Sequence, residues 1–105
     1  VSNRKPIIEG EEELVLEAKT RHRNATRQRV EDLKSVMSLP HGRRFVWSIL
    51  ETTGLFRTSF TGNAATYFNE GMRNVGLKVV GDLSEHCPEL YLLMQQEQLK
   101  GERDE

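Results

Sequence analysis

From Glu11 to Met37 the chain contains neither proline nor glycine. Glu, Leu, Ala, Lys, Arg and Gln dominate this stretch, and all of them favour helix. The pattern predicts one long helix of about 40 Å, with Glu11, Glu12 and Glu13 at the end where the helix dipole favours negative charge. Its apolar positions are unevenly spread. Leu14, Val15, Leu16 and Ala18 lie near the start and Val30, Leu33, Val36 and Met37 near the end, with only Ala25 between. A helix without an apolar face is not held by packing on its own domain. Residues 19–29 therefore read as an exposed arm, or as a segment that lies against a partner. Residues 1–10, which hold Pro6 and Gly10, read as irregular.

A second helix is predicted near 41–53. Ser38 or Leu39 marks its boundary, Pro40 sits in its first turn and Gly54 caps its end. Phe45, Val46, Ile49 and Leu50 form its apolar face. "LFRTSFTGN", residues 55–63, reads as a loop whose Leu55, Phe56 and Phe60 fold back onto the core. A third helix is predicted over 63–84, capped by Thr61 or Asn63. Its stripe of Ala65, Phe68, Met72, Val75, Val79 and Leu83 has helical spacing rather than strand alternation. Gly71, Gly76 and Gly81 fall inside it at a spacing that does not share one face. Pro88 opens a last helix to about residue 99, with Leu90, Leu93 and Met94 on one face. No strand, internal repeat or low-complexity segment is apparent. The fold class is all-α, a small helical domain of three to four helices with a long N-terminal helical arm. Residues 1–32 form the charged arm, 33–99 the compact domain and 100–105 an acidic tail.

Composition supports that division. A chain of 105 residues suits one domain with a small core, and 36% apolar with 30% charged content leaves part of it outside any core. The net charge of −1 hides sums of +1, +3 and −5 over residues 1–39, 40–80 and 81–105. Within the first block, Lys19, Arg21, Arg23, Arg27 and Arg29 form a basic stripe without an acid. Such unevenness suits contact with other macromolecules. The single cysteine, Cys87, allows no intrachain disulfide. No run approaches the ~20 apolar residues of a membrane helix, and no signal segment opens the chain. A soluble protein made in a cytoplasm is the expectation.

The chemical readings of "FRTSFTGNAATYFNEGMRNVGL", residues 56–77, narrow quickly. A phosphate-binding loop needs glycines at fixed spacing, a following Lys and a preceding strand. Here Gly54 and Gly62 are eight apart and no Lys follows either. Histidines 22, 41 and 86 are scattered, and no second Cys completes a zinc site. Cys87 precedes a helix start, which can lower a thiol pKa, but its adjacency to His86 and Glu85 is not triad geometry. No catalytic group, cofactor or metal is expected. The set Arg57, Asn63, Asn69, Glu70, Arg73 and Asn74 reads instead as a lock. The arginines tie the loop to the third helix through Glu70 or backbone carbonyls, and the asparagines satisfy loop backbone groups. Candidate interaction residues are Leu14, Val15, Arg21, Arg23, Arg27, Arg29, Arg43, Arg44 and Trp47. The arginines suit phosphate contacts, although no helix carries the set that reads a major groove.

Three blocks, "GRRFVWSILETTGLFRTSFTGN", "YFNEGMRNVGL" and "PELYLLMQQE", resemble a family of small structural proteins of tailed bacteriophages, mostly short-tailed, first named from a Bordetella phage. The resemblance covers roughly residues 33–97. It implies a virion-associated, non-enzymatic role in a podovirus particle. The protein would be made in the bacterial host cytoplasm and attached to the portal or tail, or packed inside the head and ejected with DNA. Expected partners are portal, tail, internal or capsid proteins, further copies of the chain, and packaged DNA without sequence preference. The alternatives are a small nucleic-acid-binding or regulatory module and a capsid decoration protein. The apolar cluster Ile7, Ile8, Leu14, Val15 and Leu16 lies beyond the basic stripe from the core, so a partner surface is its natural host.

Overall fold

The computed structural model describes the backbone of residues 5–104 and the side chains of residues 10–101. All regular structure within it is helical: α1 Lys5–Met37, α2 Pro40–Thr52, α3 Ala65–His86 and α4 Pro88–Asp104. The chain divides into two compact units, Val1–Asp32 and Leu33–Glu105.

In the first unit, α1 begins at Lys5 rather than Glu11. Pro6 is compatible because the first helical turn has no use for its missing N–H. Gly10 merely lowers helix propensity, since open space surrounds it. Every side chain from Glu11 to Arg29 is exposed, Leu14, Val15 and Leu16 included. Ile7 and Ile8 have side chains outside the described residues.

The second unit packs α2, α3 and α4 together with the last turn of α1. The most extensive helix contact is between α3 and α4. Met37, Leu50, Leu83 and Met94 are fully buried, joined by Val46 and Cys87. Full burial of such a side chain is worth about 2 kcal/mol relative to exposure. Leu33, Trp47, Leu55, Val79, Val80, Leu90 and Tyr91 pack around them.

The helical stripes are present, but three face differently from the sequence pattern. α2 turns Gly42, Arg43, Val46 and Leu50 inward, which leaves Phe45 and Ile49 exposed. The Arg43 guanidinium takes a core position because its partners lie inside the unit. Nε and Nη2 donate to the two carboxylate oxygens of Glu97 at 2.7 and 3.1 Å, and Nη1 donates to the Met37 carbonyl at 2.9 Å. α3 buries Gly76 and Leu83 and exposes Phe68 and Val75. Gly76 sets that rotation: a Cβ there would collide with Thr53 Oγ1 and crowd Leu55 Cβ. Only a glycine lets α3 pass the end of α2 this closely. Gly71 and Gly81 have open space around them. α4 buries Met94 and half-buries Leu90 and Tyr91, while Leu93 faces outward. The helix continues to Asp104 instead of ending near residue 99.

The boundaries have local causes. Pro40 stands in the first turn of α2, and Gly54, at φ 72°, takes the left-handed position that ends it. Cys87 separates α3 from α4. Its N–H bonds the Leu83 carbonyl, and its own carbonyl accepts from Tyr91 N–H, both at 3.0 Å.

Candidate functional site

Residues 53–64 connect α2 to α3 without regular structure, and polar side chains hold them. Asn63 Oδ1 accepts from Ala65 N–H at 2.9 Å and from the Thr61 hydroxyl. Thr66 Oγ1 accepts from Thr61 N–H at 3.0 Å. The first of these bonds satisfies a donor at the start of α3 that has no partner within the helix, and the other two fix Thr61 in the connection. Asn69 Nδ2 donates to the Ser59 carbonyl at 3.2 Å, and the Ser59 hydroxyl donates to Glu70. Arg57 reaches the Glu51 carbonyl at 3.4 Å, a weak exposed contact, and does not pair with Glu70. Arg73 is half-buried and Asn74 exposed. Neither makes a hydrogen bond or ion pair to another described residue.

Between the end of α2, this connection and α3 lies a cleft of about 200 Å³, with Thr52, Arg57, Thr58, Phe68, Asn69 and Met72 on its walls. Small-molecule sites usually enclose 300 Å³ or more, and Arg57 is the one cation on these walls.

The dominant surface feature is aromatic. The chain has seven aromatic residues, and five are exposed: Phe45 65%, Phe56 50%, Phe60 74%, Tyr67 82% and Phe68 71%. At roughly 200 Å² per side chain, these fractions leave about 700 Å² of aromatic surface in water. Phe60, Tyr67 and Phe68, in the connection and the first turn of α3, account for about 450 Å² of it. Phe60 and Tyr67 line one shallow groove. Phe68 adjoins Tyr67 and shares the cleft with Thr52. The end of α2 and the first turn of α3 thus meet at the loop. Phe60 does not fold back onto the core. Phe56 covers Trp47 instead, their rings stacked at 4.8 Å, which leaves Trp47 half-buried.

Of the other candidates, Leu14, Val15, Arg21, Arg23, Arg27 and Arg29 are exposed on α1, and Arg44 is exposed on α2. Arg43 differs: it is committed to Glu97 and is no surface contact. The ion pair holds the Glu97 carboxyl below its usual range, chiefly through the hydrogen bond from Arg43. Burial pushes the Cys87 thiol up, with Lys34 opposing and Glu89 adding to the shift. A thiol held protonated is the reverse of an activated nucleophile. Among the described residues no group of His, Cys, Asp or Glu is placed to hold a metal ion, and no helix is long and apolar enough to cross a membrane.

Sequence reasoning missed the exposed aromatics because periodicity locates a stripe but not which edge of it turns inward. The one available signal was the clustering of Phe56, Phe60, Tyr67 and Phe68 about a connection too polar to be buried.

Neither the comparison with curated proteins nor that with solved structures found a match. A family model described as Bbp19-like phage protein matches residues 33–96, starting where the second compact unit starts. Since the match spans more than half of the chain and takes in the buried core residues from Met37 to Met94, the loop lock and the aromatic surface, this chain belongs to the family of Bbp19-like phage proteins.

Proposed function

We propose that this phage protein is a non-enzymatic structural component of the virion, held in the particle by other virion proteins. The observation that carries the reading is the exposed aromatic surface of the second unit. Aromatic side chains are the enriched anchors of protein–protein interfaces, and five of the seven here are left outside the core. The first unit supports the same role, because Leu14, Val15 and Leu16 are all exposed. An isolated helix of this composition is marginally stable in water, so docking supplies the burial that orders it. Attachment at the portal or tail, or packing inside the head, each suits a small part with two outward-facing segments.

The test is to purify particles and measure the protein by mass spectrometry, for the full chain and for a chain lacking residues 1–32. The full chain is expected at a fixed copy number per particle and the truncated chain at a strongly reduced one. Absence of the full chain from particles would sink the proposal. Full incorporation of the truncated chain would assign the interface to residues 33–105 alone.

A second reading, a nucleic-acid-binding module, is favoured by one feature: Lys19, Arg21, Arg23, Arg27 and Arg29 are all exposed along α1. Phosphate contacts weaken steeply with salt. DNA binding lost between 50 and 200 mM salt, by a protein absent from particles, would support it.

A further inference from the structure

The five cations of the α1 stripe do not share a face. Lys19, Arg23 and Arg27 stand at i, i+4 and i+8, one row on the helix with a rise of about 6 Å from each to the next. His22 and Thr26, at i+3 and i+7, lie beside that row, and with Ala18 these residues line one shallow groove along α1. Arg21 and Arg29 lie outside the groove, one turn from Glu17 and Asp32 respectively. The three cations of the row are exposed, and none forms an ion pair with a described residue. Glu31, one turn past Arg27, is the one acid three or four residues from any of them. Like charges one turn apart repel, so Lys19–Arg23 and Arg23–Arg27 both oppose the helix that carries them. A polyanion laid along the row turns that repulsion into attraction.

We propose that this row is a site for the phosphate backbone of double-stranded nucleic acid, bound without regard to base sequence. The inference rests on the nucleic-acid reading above and deepens it, naming three of the five cations as the contact and the duplex backbone as the ligand. Charge complementarity selects a polyanion, and the rest of the face selects which one. A duplex carries one negative charge per roughly 1.7 Å of its axis, dense enough to meet a cation every ~6 Å of helix. A single strand is held by bases stacked on aromatic side chains, and the groove has none. An acidic protein would need large apolar anchors at the centre of its interface, and the one apolar residue in the groove is Ala18. The side-chain amides that read adenine, Asn24 and Gln28, are outside the groove, and Gln28 Nε2 donates to Asp32 at 2.9 Å. The Thr26 hydroxyl donates to the His22 carbonyl at 2.9 Å. What remains for a ligand is a row of charges, which positions a backbone but reads no sequence.

The test uses the full chain and a short random-sequence DNA duplex, followed by fluorescence anisotropy from about 50 to 200 mM salt. Three neutralised phosphates give a slope of log K against log salt of about −2.7, or about a 40-fold loss of affinity over that range. Lys19→Gln, Arg23→Gln and Arg27→Gln should each bring the slope about 0.9 closer to zero. Arg21→Gln and Arg29→Gln should leave it unchanged. Glutamine matches arginine and lysine in helix propensity, so the helical circular dichroism spectrum should be retained, and Arg23→Lys, which keeps the charge, should keep the slope. Row variants that leave the slope unchanged, or Arg21→Gln and Arg29→Gln that lower it equally, would overturn the row while leaving the nucleic-acid reading in place. A single strand bound as tightly as the duplex would overturn the duplex as ligand. Polyglutamate that displaces the duplex at equal charge would do the same and would point to an acidic protein. No duplex binding by the unaltered chain at low salt would overturn both the row and the reading it rests on.

Discussion

The core around Leu50 and the connection between α2 and α3 are held by opposite means. Around Leu50 the buried side chains are aliphatic or sulfur-bearing, namely Met37, Val46, Leu50, Leu83, Cys87 and Met94, with one charged pair reaching in. Around the connection, hydroxyl and amide side chains fix the backbone from Ser59 to Asn69, while Phe60, Tyr67 and Phe68 stand in water. Among the described residues, no buried side-chain nitrogen or oxygen lacks a partner. Stability is thus concentrated in one region and the large aromatic surface in the other. Anchors that need not hold the fold together are free to hold a partner.

The largest expected effect tests that separation directly. Leu50→Ala should cost about 3 kcal/mol in urea unfolding, from lost transfer energy and the cavity left behind. It should also open the buried Cys87 thiol to thiol reagents. Phe68→Ala should change stability by less than about 0.5 kcal/mol, as an exposed residue does. Equal costs for the two would show that the aromatics belong to the core after all.

Next come the glycines of α3. Gly76→Val should destabilise by about 2 kcal/mol, because the added atoms meet Thr53 and Leu55 at the helix crossing. Gly71→Ala should instead stabilise by up to about 1 kcal/mol, since a Cβ there meets open space and alanine favours helix. Thermal melts of the pair distinguish a packing glycine from a merely tolerated one.

A pH titration sharpens the electrostatic side of the core. The folded Glu97 carboxyl titrates below its usual range because Arg43 holds it ionised. The stabilisation is therefore complete above the usual carboxylate range and is lost as pH falls through and below it, when the carboxylate takes up its proton. Glu97→Gln should lower the melting temperature at neutral pH and flatten the acid dependence. An unaltered acid profile would show that the pair is not coupled to folding.

The smallest effects are expected within the loop lock. Asn69→Ala should cost about 1 kcal/mol through its bond to the Ser59 carbonyl. Arg57→Ala should cost less than about 0.5 kcal/mol, since its contact is long and exposed. Chemical denaturation of both variants ranks the two bonds. A reversed order would restore Arg57 as the tie between loop and helix that the residue pattern predicts.

Sequence alone determined the all-helical class and the limits marked by proline and glycine, but not the start of α1 at Lys5 or the end of α4 at Asp104. Proline at 40 and 88, glycine at 54 and the absence of strand alternation act through neighbours a few residues away, so their consequences are local and readable. The polar middle of α1 was readable for the same reason, because a helix face is a property of one segment. The role of Asn63 at the start of α3 could be anticipated too, since a helix start always has donors to satisfy, and so could that of Asn69, whose amide donates to a backbone carbonyl of the loop. Tertiary structure decided which edge of each stripe turned inward. Val46 and Leu50 were buried rather than Phe45 and Ile49, because Arg43 on their side finds Glu97, 54 residues away. Gly76 took the centre of α3 because α2 ends against it, and Phe68 was turned out as a consequence. A side chain's burial depends on what the rest of the chain brings opposite it, and periodicity along one helix carries no record of that.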